Sequence, residues 1–198
     1  MMTIGITGGV GAGKSQVLTY IEENNNCKVI RADEVAHLLE EPGHKCYERI
    51  VAFLGTDILQ EDKTIDKRKM AAAIFTDEKK LIAINEILHP EVKTYILEQI
   101  QQESEKQEID FLFVEAALLI EEHYDEIVDE LWYIHADIDV RKQRLMQNRN
   151  YSEQKVADIM RGQLKEEDFR KHCKEVILNN GDLLDNILWK KVYRKILK

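Results

Sequence analysis

Residues 8–15 read GGVGAGKS, and this stretch decides the fold class. It matches the pattern G-x-x-x-x-G-K-[ST] and lies between an apolar run, TIGIT at residues 3–7, and a helical pattern. A strand, a glycine-rich turn and a helix in this order form a loop whose main-chain N–H groups converge on phosphate. Glycines allow the backbone angles that this convergence needs, and the positive end of the helix faces the anion. The stretch therefore predicts a nucleoside triphosphate site.

Individual residues of this loop have distinct predicted roles. The Lys14 ammonium meets the β- and γ-phosphates, and the Ser15 hydroxyl ligates a Mg²⁺ ion that bridges them. Six consecutive residues are predicted to bind the triphosphate: Gly11, Ala12, Gly13, Lys14, Ser15 and Gln16. The motif alone leaves open whether the phosphate is transferred, hydrolysed or sensed.

Length, composition and charge restrict the classes of protein that fit. The chain has 198 residues, 44% of them hydrophobic, which suits one domain with a buried core. Its net charge of −9 argues against nucleic acid as a partner, because proteins that bind nucleic acid phosphates are usually basic. The sequence shows neither a signal peptide nor a membrane span. Three separated cysteines fit a reducing compartment, so we expect a cytoplasmic protein. The sequence implies no obligate protein partner.

Short apolar runs alternate with amphipathic segments along the chain. Strands are predicted at residues 3–7, 28–32, 110–115, 131–135 and 175–178. Strand–helix alternation predicts an α/β fold of the P-loop nucleoside-triphosphate-binding type, with a parallel five-stranded sheet and helices on both faces. Further helices are expected to begin at Pro90 and to cover Leu184 to Val192.

Uneven spacing of the strands predicts three functional parts. The core is expected at about residues 1–36, 108–140 and 173–198. A helical acceptor-binding insert is expected at about residues 37–107, and a lid at about residues 141–172.

Two acidic residues are predicted at the carboxyl ends of strands, where ligands of parallel sheets bind. Asp33 directly follows the second strand, and Glu115 ends the third. We assign Asp33 to the hydroxyl group of a phosphate acceptor and Glu115 to the Mg²⁺ environment, with the reverse assignment left open. The alternative interpretations are a helix N-cap for Asp33 and a structural carboxylate at the sheet edge for Glu115.

Several cations are candidates for neutralising a transferred phosphoryl group. Arg141 and Arg144 are three residues apart on a predicted helix and therefore share a face, while Arg149 is expected just beyond it, at the start of a lid loop. A solvated helical face is the alternative interpretation. In the insert, Lys67 and Arg68 could meet an anionic acceptor or lie exposed at the surface.

These segments together resemble the dephospho-coenzyme A kinase family over nearly the whole chain. Residues 7–15 (TGGVGAGKS) are similar to the family's phosphate loop, and Ala32-Asp33 resembles the end of its Asp-Ala-Asp motif. Other similar segments follow in the expected order: Phe53-Leu54-Gly55, Ile74-Phe75, His89-Pro90, residues 118–121 (LLIE), Gln163 and residues 176–181 (VILNNG). This ordered set is more specific than the loop alone.

The resemblance implies ATP-dependent phosphorylation of the ribose 3′-hydroxyl of dephospho-coenzyme A, with Mg²⁺, a helical acceptor domain and a lid. It places the proposed base at Asp33, brings His89 into the acceptor site and brings Arg144 near the ATP phosphates. His89 is otherwise interpreted as a cap or a packed ring at a helix start. We expect Asn179 and Gly181 to contact the adenine of ATP.

The chain departs from the family pattern at several positions. Arg31 replaces the first acid of the Asp-Ala-Asp motif and puts a cation beside Asp33. Glu115 stands where Asp is frequent, and Lys174 replaces an Asp before the last strand. Arg149 stands one position later than the usual lid arginine.

Two other functions fit parts of the sequence. A P-loop kinase for another small acceptor, such as a nucleoside monophosphate or a sugar, would share the sheet and the loop, and only the insert motifs argue against it. A GTP-dependent switch would need an Asp-x-x-Gly segment, but no glycine here follows an Asp by three residues. It would also need Asn-Lys-x-Asp, and residues 179–182 read NNGD.

Overall fold

The computed structural model describes residues 1–75, 77–116 and 118–181. The chain divides into two compact units: Met1–Val29 together with the segment from Lys106 onward, and Ile30–Glu105. The helix predicted from Leu184 to Val192 lies outside the described residues.

A parallel sheet of five strands organises the first unit. The strands are β1 (Met2–Thr7), β2 (Cys27–Arg31), β3 (Phe111–Glu115), β4 (Glu130–His135) and β5 (Glu175–Leu178). Their order in the sheet is β2-β3-β1-β4-β5, and the boundary between the two units falls within β2. The five predicted strands and the parallel sheet are confirmed, with strand ends that differ from the prediction by no more than one residue.

Eight helices connect and flank the strands within the described residues. They are α1 (Lys14–Asn24), α2 (Ala32–Leu39), α3 (Lys45–Leu54), α4 (Lys67–Phe75), α5 (Glu78–Lys106), α6 (Ile138–Arg149), α7 (Glu153–Arg161) and α8 (Glu166–His172). In the part of the chain that the structure describes, none of these helices is long and apolar enough to cross a membrane.

The core of the first unit lies against the central strands. Ile4 and Ile6 of β1, Phe113 of β3 and Ile134 of β4 are fully buried. Continuous apolar runs of this kind are typical of parallel strands that are covered on both faces. This core fixes the end of β1, from which the glycine-rich loop emerges, and the inner face of α1, through Val17, Leu18 and Ile21.

The second unit has a core of its own. Cys46 and Ile50 of α3 are buried together with Ile84 and Ile87 of α5, and Ile58 joins them from the turn after α3. The two pairs follow the three- and four-residue spacing of one helix face.

The start predicted for a helix at His89-Pro90 is wrong. Both residues lie inside α5, which runs without interruption from Glu78 to Lys106. Proline in a helix interior removes one main-chain donor and is normally costly. Here Leu88, Val92 and Ile96 are buried at four-residue spacing and continue one apolar face past Pro90, so that packing outweighs the local preference.

Two further local predictions are also wrong. Helix α2 begins at Ala32 with Arg31 as its N-cap, so Asp33 is its second residue and the N-cap interpretation of Asp33 fails. Arg149 is the last residue of α6 and does not begin a loop beyond the helix. Asn150 ends that helix in the left-handed conformation, with φ of 51°, which amide side chains tolerate better than most.

Candidate phosphate-binding site

The loop between β1 and α1 has the backbone shape of an anion site. Gly11 and Gly13 have φ angles of 84° and 86°, in the left-handed region that favours glycine. The Ala12 amide donates to the Gly9 carbonyl oxygen at 3.0 Å, which closes a tight turn. Gly13 is the N-cap of α1, and a Cβ atom at Gly13 would lie 2.4 Å from Nδ2 of Asn179. Both the conformation and the space at Gly13 therefore require glycine.

The carbonyl oxygens of Gly11 and Ala12 accept hydrogen bonds from two side chains. Nδ2 of Asn179 donates to the Ala12 oxygen at 2.9 Å, and Nη1 of Arg144 donates to the Ala12 and Gly11 oxygens at 3.3 and 3.4 Å. The C=O and N–H of a trans peptide point in opposite directions. The Gly13 N–H consequently points away from Asn179, and the first amides of α1 that follow it lack intrahelical acceptors.

Lys14 crosses back over the loop. Its ammonium donates to the Gly8 carbonyl oxygen at 2.8 Å and lies 3.8 Å from Oε1 of Glu115, at the end of β3. Both side chains are largely buried, with exposed fractions of 13% and 17%. The structure thus brings the predicted phosphate-binding lysine together with the predicted metal-site carboxylate.

Ser15 and Glu115 supply the oxygen types that Mg²⁺ prefers. Ser15 lies exposed in the first turn of α1, and Glu115 is held at the loop through Lys14. A hydroxyl and a carboxylate fit a Mg²⁺ ion that completes its shell with water and phosphate oxygens. Among the described residues no group of three or more His, Cys, Asp or Glu side chains is placed to hold a metal ion.

The arginines of α6 differ in their positions. Arg141 and Arg144 share a half-buried face and both donate to loop carbonyl oxygens, Arg141 through Nε to Val10 at 3.0 Å. The helical spacing predicted for this pair is therefore confirmed. Arg149 is exposed at the C-terminal end of the helix. Arg161, on α7, forms an ion pair with Asp158 one turn earlier, at 3.2 Å.

The residues predicted to meet the acceptor all belong to the second unit. Asp33 is exposed in the first turn of α2, and Lys67 and Arg68 begin α4. The Asp66 carboxylate accepts from the amides of Arg68 and Lys69 at 2.8 and 3.1 Å, and these bonds lower the pKa of Asp66. His89 is partly buried within α5.

Sequence reasoning missed two contacts of the loop. Gln163, between α7 and α8, accepts hydrogen bonds from the Val10 amide at 3.3 Å and from Nη2 of Arg141. Asn179, for which the sequence predicted only a contact with adenine, is 1% exposed and donates through its amide nitrogen to the Ala12 oxygen of the loop. Both residues are far from the loop in sequence, and no local pattern links them to it.

Comparison with known proteins decides the family. The family profile described as dephospho-CoA kinase matches residues 2–185. This chain belongs to the dephospho-CoA kinase family. Its similarity to curated dephospho-CoA kinases covers nearly whole chains: the protein of Oceanobacillus iheyensis is 33% identical over 96% of this chain and 97% of its own length. The dephospho-CoA kinase of Streptococcus agalactiae serotype III is 36% identical, with 91% of each chain covered.

Solved structures share the fold of this chain. The crystal structure of TT1252 from Thermus thermophilus superposes with a TM-score of 0.78 at 26% identity, covering 99% of this chain and 96% of that one. The dephospho-CoA kinase from Campylobacter jejuni gives a TM-score of 0.72 at 21% identity, covering 98% and 95%. At that identity the second likeness shows the fold alone. The family resemblance expected from the sequence motifs is confirmed.

Proposed function

We propose that this chain transfers the terminal phosphoryl group of ATP to the ribose 3′-hydroxyl of dephospho-CoA, giving coenzyme A and ADP in the last step of coenzyme A synthesis. The match of the dephospho-CoA kinase family over residues 2–185 is the observation that carries this proposal. The glycine-rich loop supports it, because its geometry suits the phosphates of a nucleoside triphosphate.

The donor side of the reaction is assigned to the loop and α1. Main-chain amides of Gly11, Gly13 and the first turn of α1 hold the phosphates, and the Lys14 ammonium neutralises their charge. The Ala12 amide is engaged by Gly9, so Ala12 contributes through the shape of the turn. Asn179 and Gly181 are assigned to the adenine side, with Asn179 also bound to the loop.

The acceptor side is assigned to the second unit. Asp33 accepts the proton of the ribose hydroxyl as that oxygen attacks the terminal phosphorus, which is a general-base role. Lys67, Arg68 and His89 bind the anionic acceptor. Because dephospho-CoA carries a diphosphate, two adjacent cations at the start of α4 are a chemically suitable contact.

Ser15 and Glu115 would hold Mg²⁺ in this proposal, since their oxygens suit the ion. When bound, Mg²⁺ neutralises charge on the phosphates and orients them for in-line attack. Arg144 stabilises the charge that spreads over the transferred group, and Arg141 and Arg149 belong with it to the proposed lid.

A comparative assay tests the proposal. The purified chain is incubated with ATP and Mg²⁺, and with dephospho-CoA, AMP or a sugar as acceptor, and products are separated chromatographically. We expect an ATP-dependent product only from dephospho-CoA, and product formation should stop when a chelator removes Mg²⁺. Phosphorylation of a nucleotide or sugar without reaction of dephospho-CoA would overturn the acceptor assignment, and preference for GTP over ATP would favour a switch.

We also propose that the chain works in the cytoplasm on small molecules. Its net charge of −9 suits a protein that binds a triphosphate in one local pocket and repels nucleic acid elsewhere. Recovery of the protein in the membrane pellet after cell fractionation would contradict this location.

A further inference from the structure

One loop residue, Val10, is held at both of its main-chain polar groups. Oε1 of Gln163 accepts from the Val10 amide at 3.3 Å, and Nε of Arg141 donates to the Val10 carbonyl oxygen at 3.0 Å. The two side chains also bind each other, because Nη2 of Arg141 donates to the same Oε1 atom of Gln163. We call the closed ring of Val10, Arg141 and Gln163 the Val10 clasp.

The clasp depends on close approach between α6 and the loop. A Cβ atom at Gly9 would lie 2.2 Å from Nη2 of Arg141, and a Cβ atom at Gly11 would lie 2.9 Å from the Arg141 carbonyl oxygen. The glycines on either side of Val10 therefore leave room for the guanidinium and for the backbone of α6. This close packing explains why the motif positions around Val10 are occupied by glycine in this chain.

Arg141 binds neutral oxygens in this arrangement. Within the described part of the chain, its guanidinium bonds to a carbonyl and an amide oxygen and forms no ion pair with a carboxylate. Burial lowers the pKa of Arg141, although an arginine side chain keeps its charge at physiological pH. No carboxylate among the described residues pairs with this positive charge, which lies against the loop backbone and favours binding of an anion there.

The clasp also sets the direction of one amide. The peptide group that joins Val10 to Gly11 is planar and trans, so its C=O and N–H point in opposite directions. With the Val10 oxygen bound to Arg141, the Gly11 N–H points away from α6. An amide that is already oriented for its ligand costs less to order when the ligand binds.

We propose that Gln163 and Arg141 are positioning residues that hold the Val10–Gly11 peptide with its N–H toward the bound triphosphate. The inference rests on the proposed function only in taking ATP as the ligand. Gln163 touches neither nucleotide in this account; it acts through Arg141 and Val10. The corner between α7 and α8 is thereby joined to the phosphate site by one side chain.

Nucleotide affinity in matched variants tests the clasp. Gln163→Leu keeps the approximate size of the side chain and removes its hydrogen-bonding oxygen. We expect the Kd for ATP to rise about tenfold, which is the effect of losing one or two hydrogen bonds. The turnover number at saturating ATP should stay within about threefold, because the chemistry is not touched. Gln163→Asn keeps an uncharged acceptor oxygen on a side chain one methylene shorter, so its Kd should lie between those of Gln163→Leu and the unaltered chain.

Controls separate positioning from general loss of structure. Gln154→Leu makes the same replacement at an exposed position of α7, where the side chain donates to Asp158 of its own helix at 3.1 Å, and it should leave the Kd unchanged. Adenosine carries no phosphate, so the clasp predicts equal adenosine affinity in Gln163→Leu and the unaltered chain. An equal loss of adenosine and ATP affinity would overturn the proposal, as would an unchanged Kd for ATP.

A second variant keeps the test decisive if Gln163→Leu does not fold. Arg141→Lys retains the charge, but one ammonium cannot hold both oxygens in the planar geometry of a guanidinium. We expect a Kd for ATP about tenfold higher, and an unchanged Kd would overturn the clasp. Calorimetric titration with ATP alone needs no phosphate acceptor. If the chain did not phosphorylate dephospho-CoA, the proposed function would fail, but the ATP affinities of the variants would still test the clasp.

Discussion

Asp33 and Glu34 are adjacent carboxylates in the first turn of α2, and both are exposed. They have the same charge and nearly the same position relative to the helix N-terminus, which favours both. Only Asp33 is assigned a role in the reaction, as the base for the ribose hydroxyl of the phosphate acceptor. The pair therefore offers an internal comparison in which electrostatic effects on the helix are matched and only the proposed catalytic role differs.

Replacing Asp33 by asparagine should abolish most phosphoryl transfer and leave ATP binding intact. The amide can still accept a hydrogen bond from the ribose hydroxyl, but it cannot take up its proton, and general-base catalysis contributes roughly 10²–10⁴-fold. We expect the turnover number with dephospho-CoA to fall at least about a hundredfold, with the Kd for ATP within about twofold.

Glu34→Gln is the control for this change and should retain turnover within about twofold. Steady-state kinetics and calorimetric titration on the same preparations distinguish the two variants. Near-normal turnover in Asp33→Asn would remove Asp33 from the acceptor role.

Replacing Lys14 by alanine should weaken phosphate binding and transfer together. The ammonium bonds the Gly8 oxygen and lies beside Glu115, so its loss removes charge neutralisation at the loop and leaves Glu115 without this cation. We expect kcat/KM to fall by at least about a hundredfold in a spectrophotometric assay coupled to ADP release. Lys142→Ala changes an exposed lysine of α6 that pairs with Asp139, and should have little effect. Unimpaired kcat/KM in Lys14→Ala would contradict the loop assignment.

The turn from the loop into α1 depends on one residue without a side chain. Gly13 has φ of 86°, and a Cβ atom there would lie 2.4 Å from the buried Asn179 amide. Gly13→Ala should therefore lower the free energy of unfolding by about 1–3 kcal/mol through strain and displaced packing. It should also raise the Kd for ATP, because displacement of Asn179 releases the Ala12 oxygen.

Gly162→Ala is the matched comparison. Gly162 follows α7 with φ of −81°, and the nearest atom to an added Cβ would be 3.8 Å away. This replacement should be neutral or stabilise by about 0.4–1 kcal/mol, since it restricts the unfolded chain without native strain. Urea unfolding curves of both variants provide the measurement. Equal stability of the two would show that the loop tolerates a side chain at Gly13.

The sequence predicted individual elements well and contacts between distant elements poorly. Apolar runs fixed the five strands, and the three-residue spacing of Arg141 and Arg144 correctly placed both on one helix face. Pro90 was misleading because local chemistry disfavours proline in a helix, whereas burial of Leu88 and Val92 on one face maintains α5 across it. Gln163 lies 153 residues from Val10 along the chain. It contacts the loop because the folded chain places the turn between α7 and α8 beside it, and no local sequence pattern predicts that placement.

At the scale of the whole molecule, several acids remain protonated because they are half-buried, as Cys27 and Cys173 are, or buried, as Tyr124 is. Burial raises the pKa of Cys173 from 9.0 to about 12, and burial and the Glu22 carboxylate raise that of Cys27 to about 11. Burial and the Glu122 carboxylate raise the pKa of Tyr124 from 10.0 to about 12. Because thiolates are the reactive form, these two thiols should react slowly with alkylating agents in the native chain. The raised pKa values of the two thiols and of Tyr124 also make the stability of the fold depend on pH.

Stability should fall with rising pH above about pH 9. In the unfolded chain the thiols lose their protons near 9.0, whereas the native chain keeps them until about 11 or 12. Over this interval the unfolded state binds fewer protons than the native state, so each increase in pH favours unfolding. Below about pH 9 both states keep these protons, and the free energy that the thiols contribute to stability is constant. The negative net charge, which grows at alkaline pH, acts in the same direction.

Urea midpoints at about pH 7.5, 9 and 10.5 measure this dependence, with reducing agent present throughout. We expect the midpoint to be similar at the first two values and clearly lower at the third. Cys173→Ser removes one of the titrating groups, because a serine hydroxyl does not ionise in this range, and its midpoint should fall less between pH 9 and 10.5. Only the difference between midpoints matters here, since serine can alter stability at every pH by a constant amount. An identical fall in both chains would show that the Cys173 thiol is not held in its protonated form by burial.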